Sequence, residues 1–212
     1  MAGTRDYFAW HDDYAQPGSP LHLRLLVVQD LVAQALDMLP EGPVRVISMC
    51  AGQGRDILTV AARHRRGEDV RGRLVELDGR NVAIARAAIE SSNLVGLEVV
   101  RADAGHSDAY AGAAPADLVL VCGVFGNITV DAMQSTVRFL PHLCAPGAWV
   151  IWTRHPREPG VIASIEGWLA DVGCARQALV VSDVAMFGVG AHRFQGKSAP
   201  FRAGVHMFDF VR

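Results

Sequence analysis

The sequence predicts an α/β protein built on one doubly wound, mostly parallel sheet with helices on both faces. Three observations carry that prediction. Short runs of Val, Ile and Leu alternate along the chain with longer segments of helical spacing, the pattern of a parallel sheet covered on both faces. The first such run, Val44–Met49, enters a glycine turn that opens into a helix. The chain has 212 residues, half of them apolar, with a formal net charge of −2, which suits a single well-packed domain.

The elements follow in order. Residues Tyr7–Tyr14 are aromatic and acidic and end at the breaker Gln16-Pro17-Gly18-Ser19-Pro20. Ser19 is a candidate cap with Pro20 in the first turn of a helix running from Leu21 to about Leu39. Leu25, Val28, Val32 and Leu36 share one face of it, and Pro40-Glu41-Gly42-Pro43 stops it. Strands are predicted at Val44–Met49, Arg73–Leu77, Leu97–Arg101, Leu118–Cys122 and Trp149–Thr153. Helices are predicted at Arg55–Arg65, Arg80–Ser92, Val130–Leu140 (capped by Thr129) and Val161–Val172. Gly105–Ala111 reads as a polar loop with some helical character. Later strands are predicted at Gln177–Val181 and His206–Val211, while Phe187–Phe194 carries mixed signals and no assignment. Crossovers are expected to be right-handed, with ligand bound outside the carboxyl ends of the strands.

Composition excludes several classes. A near-neutral chain without a sustained basic stripe has no electrostatic footprint for nucleic acid. The densest basic cluster, Arg63-His64-Arg65-Arg66, reads as a solvated helix C-terminus, where cations complement the dipole. No apolar stretch approaches the ~20 residues of a membrane span, and the charged N-terminus lacks the apolar core of a signal peptide. A cytoplasmic protein is expected. Its four cysteines, Cys50, Cys122, Cys144 and Cys174, contain no C-x-x-C pair and are expected to be free thiols.

The turn Cys50-Ala51-Gly52-Gln53-Gly54-Arg55-Asp56 lets backbone approach a nucleotide-like ligand closely. Ile57 stands where the dinucleotide fingerprint has its third glycine. That argues against a pyrophosphate cofactor, hence against a nicotinamide oxidoreductase, and towards a smaller adenosine-bearing ligand. Glu76 follows at the distance expected of a ribose-binding carboxylate.

This ordered set of loops resembles the class I S-adenosylmethionine-dependent methyltransferases over about Val44–Thr153. Cys50–Asp56 resembles the family's first motif, with Cys50, Ala51, Gly52 and Gly54 facing the cofactor. Leu74-Val75-Glu76-Leu77-Asp78 resembles the second, with Glu76 accepting from the ribose hydroxyls. Arg101-Ala102-Asp103-Ala104 resembles the third, with Asp103 at the adenine amino group. Asp117–Asn127 sits where the fourth motif ends beneath the methyl group, which brings in Cys122 and Gly123. Leu143-Cys144-Ala145-Pro146-Gly147-Ala148 resembles the turn before the fifth strand, with Ala148 replacing a glycine. The resemblance implies a seven-stranded sheet whose last strand inserts between the fifth and sixth, a place that His206–Val211 suits. It divides the chain into a helical cover, residues 1–40, belonging to the same domain as the S-adenosylmethionine-binding Rossmann-like part, residues 41–212.

Further candidates lie around these motifs. Asp56 has two readings, a carboxylate favoured by the helix dipole or a partner for the cofactor ammonium. Asp78 reads as a helix cap. His155 is the candidate general base if the acceptor needs one. Arg154 and Arg157 are candidates for holding an acidic group of the acceptor. Phe125, Asn127 and Trp10 are expected on the acceptor side, and Tyr14 near the cofactor, within an aromatic group that also includes Tyr7 and His11. Gly190-Ala191-His192-Arg193-Phe194 is expected in a C-terminal hairpin. Cys50, Cys122 and His155 lack ligand spacing, so no metal is expected. The expected activity is methyl transfer to a small-molecule acceptor by a monomer or homodimer, without nucleic acid or membrane partners. The rivals are non-methyl use of the same cofactor (aminocarboxypropyl transfer or cyclisation) and cofactor binding without turnover.

Overall fold

The structure is a computed structural model and describes residues 11–211. Helix α1 (Pro20–Met38) precedes β1 (Val44–Ser48), a single helical turn α2 (Leu58–Ala61), β2 (Val70–Glu76), α3 (Gly79–Ser91) and β3 (Leu97–Arg101). The second half holds β4 (Ala116–Val121), α4 (Val130–Phe139), β5 (Cys144–Arg154), α5 (Val161–Asp171), β6 (Cys174–Ser182) and β7 (Phe187–Phe194). They form one seven-stranded sheet in the order β3-β2-β1-β4-β5-β7-β6. β1 to β5 pair in parallel, and β7 pairs antiparallel with both β5 and β6.

Alternation along the strands makes two cores, one per face. Val46, Leu74, Leu118, Leu120 and Ile151 pack beneath α1, α2 and α3. Ile47, Val75, Val119, Val121 and Trp152 pack beneath α4, α5 and the C-terminal segment. The helix starts are built as the sequence indicates. Ser19 Oγ accepts from His22 N, Asp78 Oδ1 from Arg80 N and Thr129 Oγ1 from Ala132 N, each filling an orphan donor of a first turn.

Three expectations are corrected. The helix predicted over Arg55–Arg65 reduces to α2 flanked by turns, because the glycine turn extends through Asp56. The strand beside β5 is Phe187–Phe194, whereas His206–Val211 makes only an isolated bridge, His206 to His106, and crosses the ends of the strands. Gly188 and Gly190 hid that strand, since glycine weakens a strand signal. Packing requires them: a Cβ on Gly190 would stand 2.4 Å from the Trp152 ring, and one on Gly188 2.8 Å from Ile162. Third, Arg66 is not solvated. Only 7% exposed, its guanidinium donates to the carbonyls of Leu36, Leu39, Pro40 and Gly42 and to Asp69 Oδ2. It therefore closes the C-terminus of α1, whose last carbonyls have no partner within the helix. Replacing it strands those acceptors. Arg66→Ala is expected to cost about 2–4 kcal/mol, read as a lowered denaturation midpoint.

Candidate functional site

A cavity of about 700 Å3 opens at the carboxyl ends of the strands, between the turns after β1, β2 and β4. That volume is typical of sites for small organic ligands. Its floor is the turn Cys50–Gln53. The turn continues the sheet's bonding: Met49 N donates to Leu120 O and Ala51 N to Val75 O. Cys50 has φ 49° and Gly52 φ 56°, so the chain bends through the left-handed region twice. Gly54 serves another purpose. It does not line the cavity, and a Cβ there would come within 2.7 Å of Leu58 and 2.8 Å of Leu74, so its smallness seats α2 on β2.

Glu76, 9% exposed, is the fixed point of the rim. Its Oε2 accepts from Gly52 N at 2.7 Å and its Oε1 from Asp78 N at 2.8 Å. Each oxygen keeps a further lone-pair site. Asp103 is exposed at the end of β3, oriented by a bond from Gly105 N to Oδ1 at 2.8 Å. Leu77 and Ala104 line the wall beside them.

Opposite, Gly123 N donates to Thr153 Oγ1 at 2.8 Å and Asn127 Nδ2 donates to Gly123 O at 2.6 Å. A Cβ on Gly123 would meet no protein atom within 4 Å, so this turn borders open space. Burial raises the thiols of Cys50 and Cys122 far above their usual range, which keeps both protonated.

The roof comes from distant segments. Arg24 of α1 donates to Tyr14 Oη at 2.6 Å and lies 5.9 Å from that ring's centroid. Asp56 Oδ1 accepts from Ile57 N at 2.8 Å. Burial pushes the Asp56 carboxyl up to about 6, against the pull of Ile57 N and Arg24. Phe208, Asp209 and Phe210 of the C-terminal segment complete the enclosure.

Residues 20–170 match a family model described as "Putative methyltransferase". The chain belongs to this methyltransferase family. Its architecture is the class I methyltransferase fold. It is similar to an O-methyltransferase family protein from Burkholderia thailandensis, with 16% identity and a TM-score of 0.63 over 90% of this chain and 60% of that one. The chain thus spans 60% of that protein's length. Magnesium protoporphyrin IX methyltransferase from Synechocystis PCC 6803, solved with S-adenosylhomocysteine, is 14% identical with a TM-score of 0.65 over 89% of this chain and 96% of that one. Aeropyrum pernix fibrillarin, solved with natively bound S-adenosylmethionine, is 15% identical with a TM-score of 0.58 over 77% of this chain and 74% of that one. No curated protein sequence matches the chain.

In this member of the family, Tyr14, Cys50, Ala51, Gly52, Glu76, Leu77, Asp103, Ala104, Cys122, Gly123 and Asn127 line one cavity. Other sequence candidates stand elsewhere. Phe125 is a core residue, 1% exposed, with its ring 6.2 Å from that of Trp152. Arg154 is buried at the end of β5 and pairs with Glu158 at 3.0 Å, away from the cavity wall. His155 and Arg157 also lie off the wall, where His155 Nδ1 accepts from Arg157 N at 3.1 Å. Along β5, Thr153 faces the cavity and Arg154 alternates away from it, and His155 and Arg157 follow in the loop beyond the strand. His192 does lie in the expected hairpin, buried, with Nδ1 accepting from Trp152 Nε1 and Nε2 3.0 Å from Glu166. Desolvation lowers its pKa. Trp10 and Tyr7 fall outside the described residues. Among the described residues, no group of three or more His, Cys, Asp or Glu could hold a metal ion, and no helix is long and apolar enough to cross a membrane.

Sequence reasoning missed Arg24, Gln53, Thr153 and Phe208–Phe210. Arg24 had a signal: it stands four residues before Val28 on the helix, and Val28 lines the cavity with it. Gln53 bridges neighbours, accepting from Arg55 Nε and donating to Asn81 Oδ1.

The Asp56 shift sets a pH dependence. A carboxyl raised from 3.8 to about 6 binds more protons folded than unfolded. Its contribution is neutral below 3.8 and becomes unfavourable as pH rises through about 6. Asp56→Asn is therefore expected to gain stability relative to the parent protein between pH 4 and pH 7, measured by urea unfolding at both pH values.

Proposed function

We propose that this protein is an S-adenosylmethionine-dependent methyltransferase acting on a small-molecule acceptor in the cytoplasm, as a monomer or homodimer. The observation that carries the cofactor reading is Glu76. It is a buried carboxylate whose two oxygens are aimed by Gly52 N and Asp78 N while each retains an acceptor site at the cavity. The residues fit adenosine. Glu76 accepts from the two ribose hydroxyls, Asp103 accepts from the adenine amino group, and the backbone of Cys50–Gly52 leaves room for close approach. At the amino-acid end, Asp56 pairs with the ammonium, Arg24 with the carboxylate, and Tyr14 holds Arg24 in place. The cofactor supplies a methyl group on a sulfonium sulfur. Cys122 and Gly123 form the wall beneath that methyl, and Asn127 faces the acceptor.

With His155, Arg154 and Arg157 off the wall, this chain contributes by holding two reactants in near-attack geometry rather than by a strong base in contact with them. The residues of the arm at Tyr14, together with α1 and the C-terminal segment, act as a cover that limits the acceptor to what one roofed cavity admits. The rim carries Glu76, Asp78, Asp103 and Asp209, and the net charge is −2. The same lining holds Arg24, Arg55 and Arg80, with Arg80 paired to Asp78, so the wall is of mixed sign and offers a phosphodiester backbone no basic track, which supports a small molecule over nucleic acid.

Titration calorimetry tests the reading. Glu76→Ala is expected to weaken S-adenosylmethionine by about 1–3 kcal/mol, the cost of leaving polar groups unpaired; unchanged affinity removes Glu76 from the site. Turnover with a competent acceptor is expected to release S-adenosylhomocysteine. Release of methylthioadenosine instead would overturn methyl transfer in favour of aminocarboxypropyl transfer.

A further inference from the structure

The segment Gly204–Val211 is not part of the sheet, yet it is tied to the body at both sides of the cavity. On the β3 side, Ser107 N donates to Val205 O at 2.8 Å, Val205 N to Ser107 Oγ at 2.9 Å and Met207 N to Gly105 O at 2.8 Å. On the β4 side, Val211 N donates to Asn127 O at 2.8 Å. Between those ties the strap spans the cavity mouth. Phe208 is 4% exposed, lines the cavity and packs in the cluster that contains Ala104. Its carbonyl oxygen lies 2.1 Å from where a Cβ on Gly105 would stand, and Asp103 Oδ1 lies 3.2 Å from the same point. Phe208 and the carboxylate that faces adenine therefore flank one backbone position.

We propose that the strap is a cofactor-binding element and that Phe208 is the wall against which the adenine ring packs. This rests on the S-adenosylmethionine reading above. Asp103 addresses the edge of the base, where the amino group is. A carboxylate at the edge gives no contact to the ring faces. An aromatic side chain beside it supplies that contact, by offset or tilted packing of two flat systems. Gly105 is the enabling residue, because only a side chain without Cβ lets the strap backbone come this close. The two ties also couple strap and ligand. A base seated against Phe208 adds contacts to a segment already held by these backbone bonds and by the packing of Met207 and Phe208 in the core, so binding suppresses its local opening.

The test uses the intact protein and two probes, S-adenosylhomocysteine and 5′-methylthioadenosine, the second lacking the amino-acid group. Phe208→Leu keeps apolar bulk and removes the ring; Gly105→Ala lifts the strap by pressing on the Phe208 backbone while leaving its ring in place. Each variant is first checked for a cooperative thermal transition. Calorimetry is expected to show both probes weakened by about three- to tenfold in Phe208→Leu, with Gly105→Ala in the same direction. Hydrogen exchange at the Met207 and Val211 amides is expected to slow when S-adenosylhomocysteine binds the parent protein. If the parent binds both probes and Phe208→Leu binds them equally well, the strap is only a packed cover and the proposal is overturned. A loss confined to S-adenosylhomocysteine moves Phe208 to the amino-acid end and also overturns it. If the parent protein binds neither probe, the cofactor reading itself fails and the proposal goes with it.

Discussion

The bond from Gly52 N to Glu76 Oε2 is the constraint on which the site depends. The parallel register pairs Ser48 with Leu74, so two residues further on Cys50 comes opposite Glu76. From there the carboxylate reaches the amide of Gly52 and fixes the turn that leaves the sheet. A second bond, from Asp78 N, prevents the carboxylate from rotating. Two loops that are far apart in sequence thereby become one surface. The charge is held in a nearly buried place because amide donors replace part of its lost hydration.

That surface would be an open groove without the segments that cover it. They come from both ends of the chain. Tyr14 and Arg24 enter from the N-terminal side, and Phe208 to Phe210 from the C-terminal side. The position of α1 is set at its far end, where Arg66 satisfies carbonyls of the helix and of the turn after it. A residue that touches no ligand thus orients the helix that carries Arg24. The loops at the strand ends supply the floor and rim of the cavity, and the covers supply the rest.

The strand-end side of the cavity and the N-terminal cover at Tyr14 were legible in the sequence and the C-terminal cover was not, for a physical reason. Glu76, Asp103 and the glycine turn lie at strand ends, where short-range pattern and chain order together place them. Contacts such as Phe208 beside Gly105 join positions about a hundred residues apart and leave no local signature. The strand Phe187–Phe194 shows the same limit within the fold. Its glycines lower β propensity, and only the tertiary neighbours Trp152 and Ile162 explain them. His206–Val211 had the composition of a strand, but its amides bond to loop carbonyls at two separate places instead of to a neighbouring strand. Helix extents were read within a residue or two where caps were strong, at Ser19, Asp78 and Thr129. They were overestimated where the glycine turn delayed the start of α2.

Cys50 turns the corner at the end of β1 with φ 49°, a conformation in which most residues with a Cβ lose about 1–2 kcal/mol. A glycine there would avoid that loss in the native state. It would also give the unfolded chain more conformations to abandon, a difference of about 0.4–1 kcal/mol in the other direction. The two effects oppose each other, and the strain is the larger by about twofold. The protein therefore keeps a side chain at this corner of the cavity floor at a net expense in stability, part of which is recovered because Cys50 leaves the disordered chain fewer conformations than glycine would.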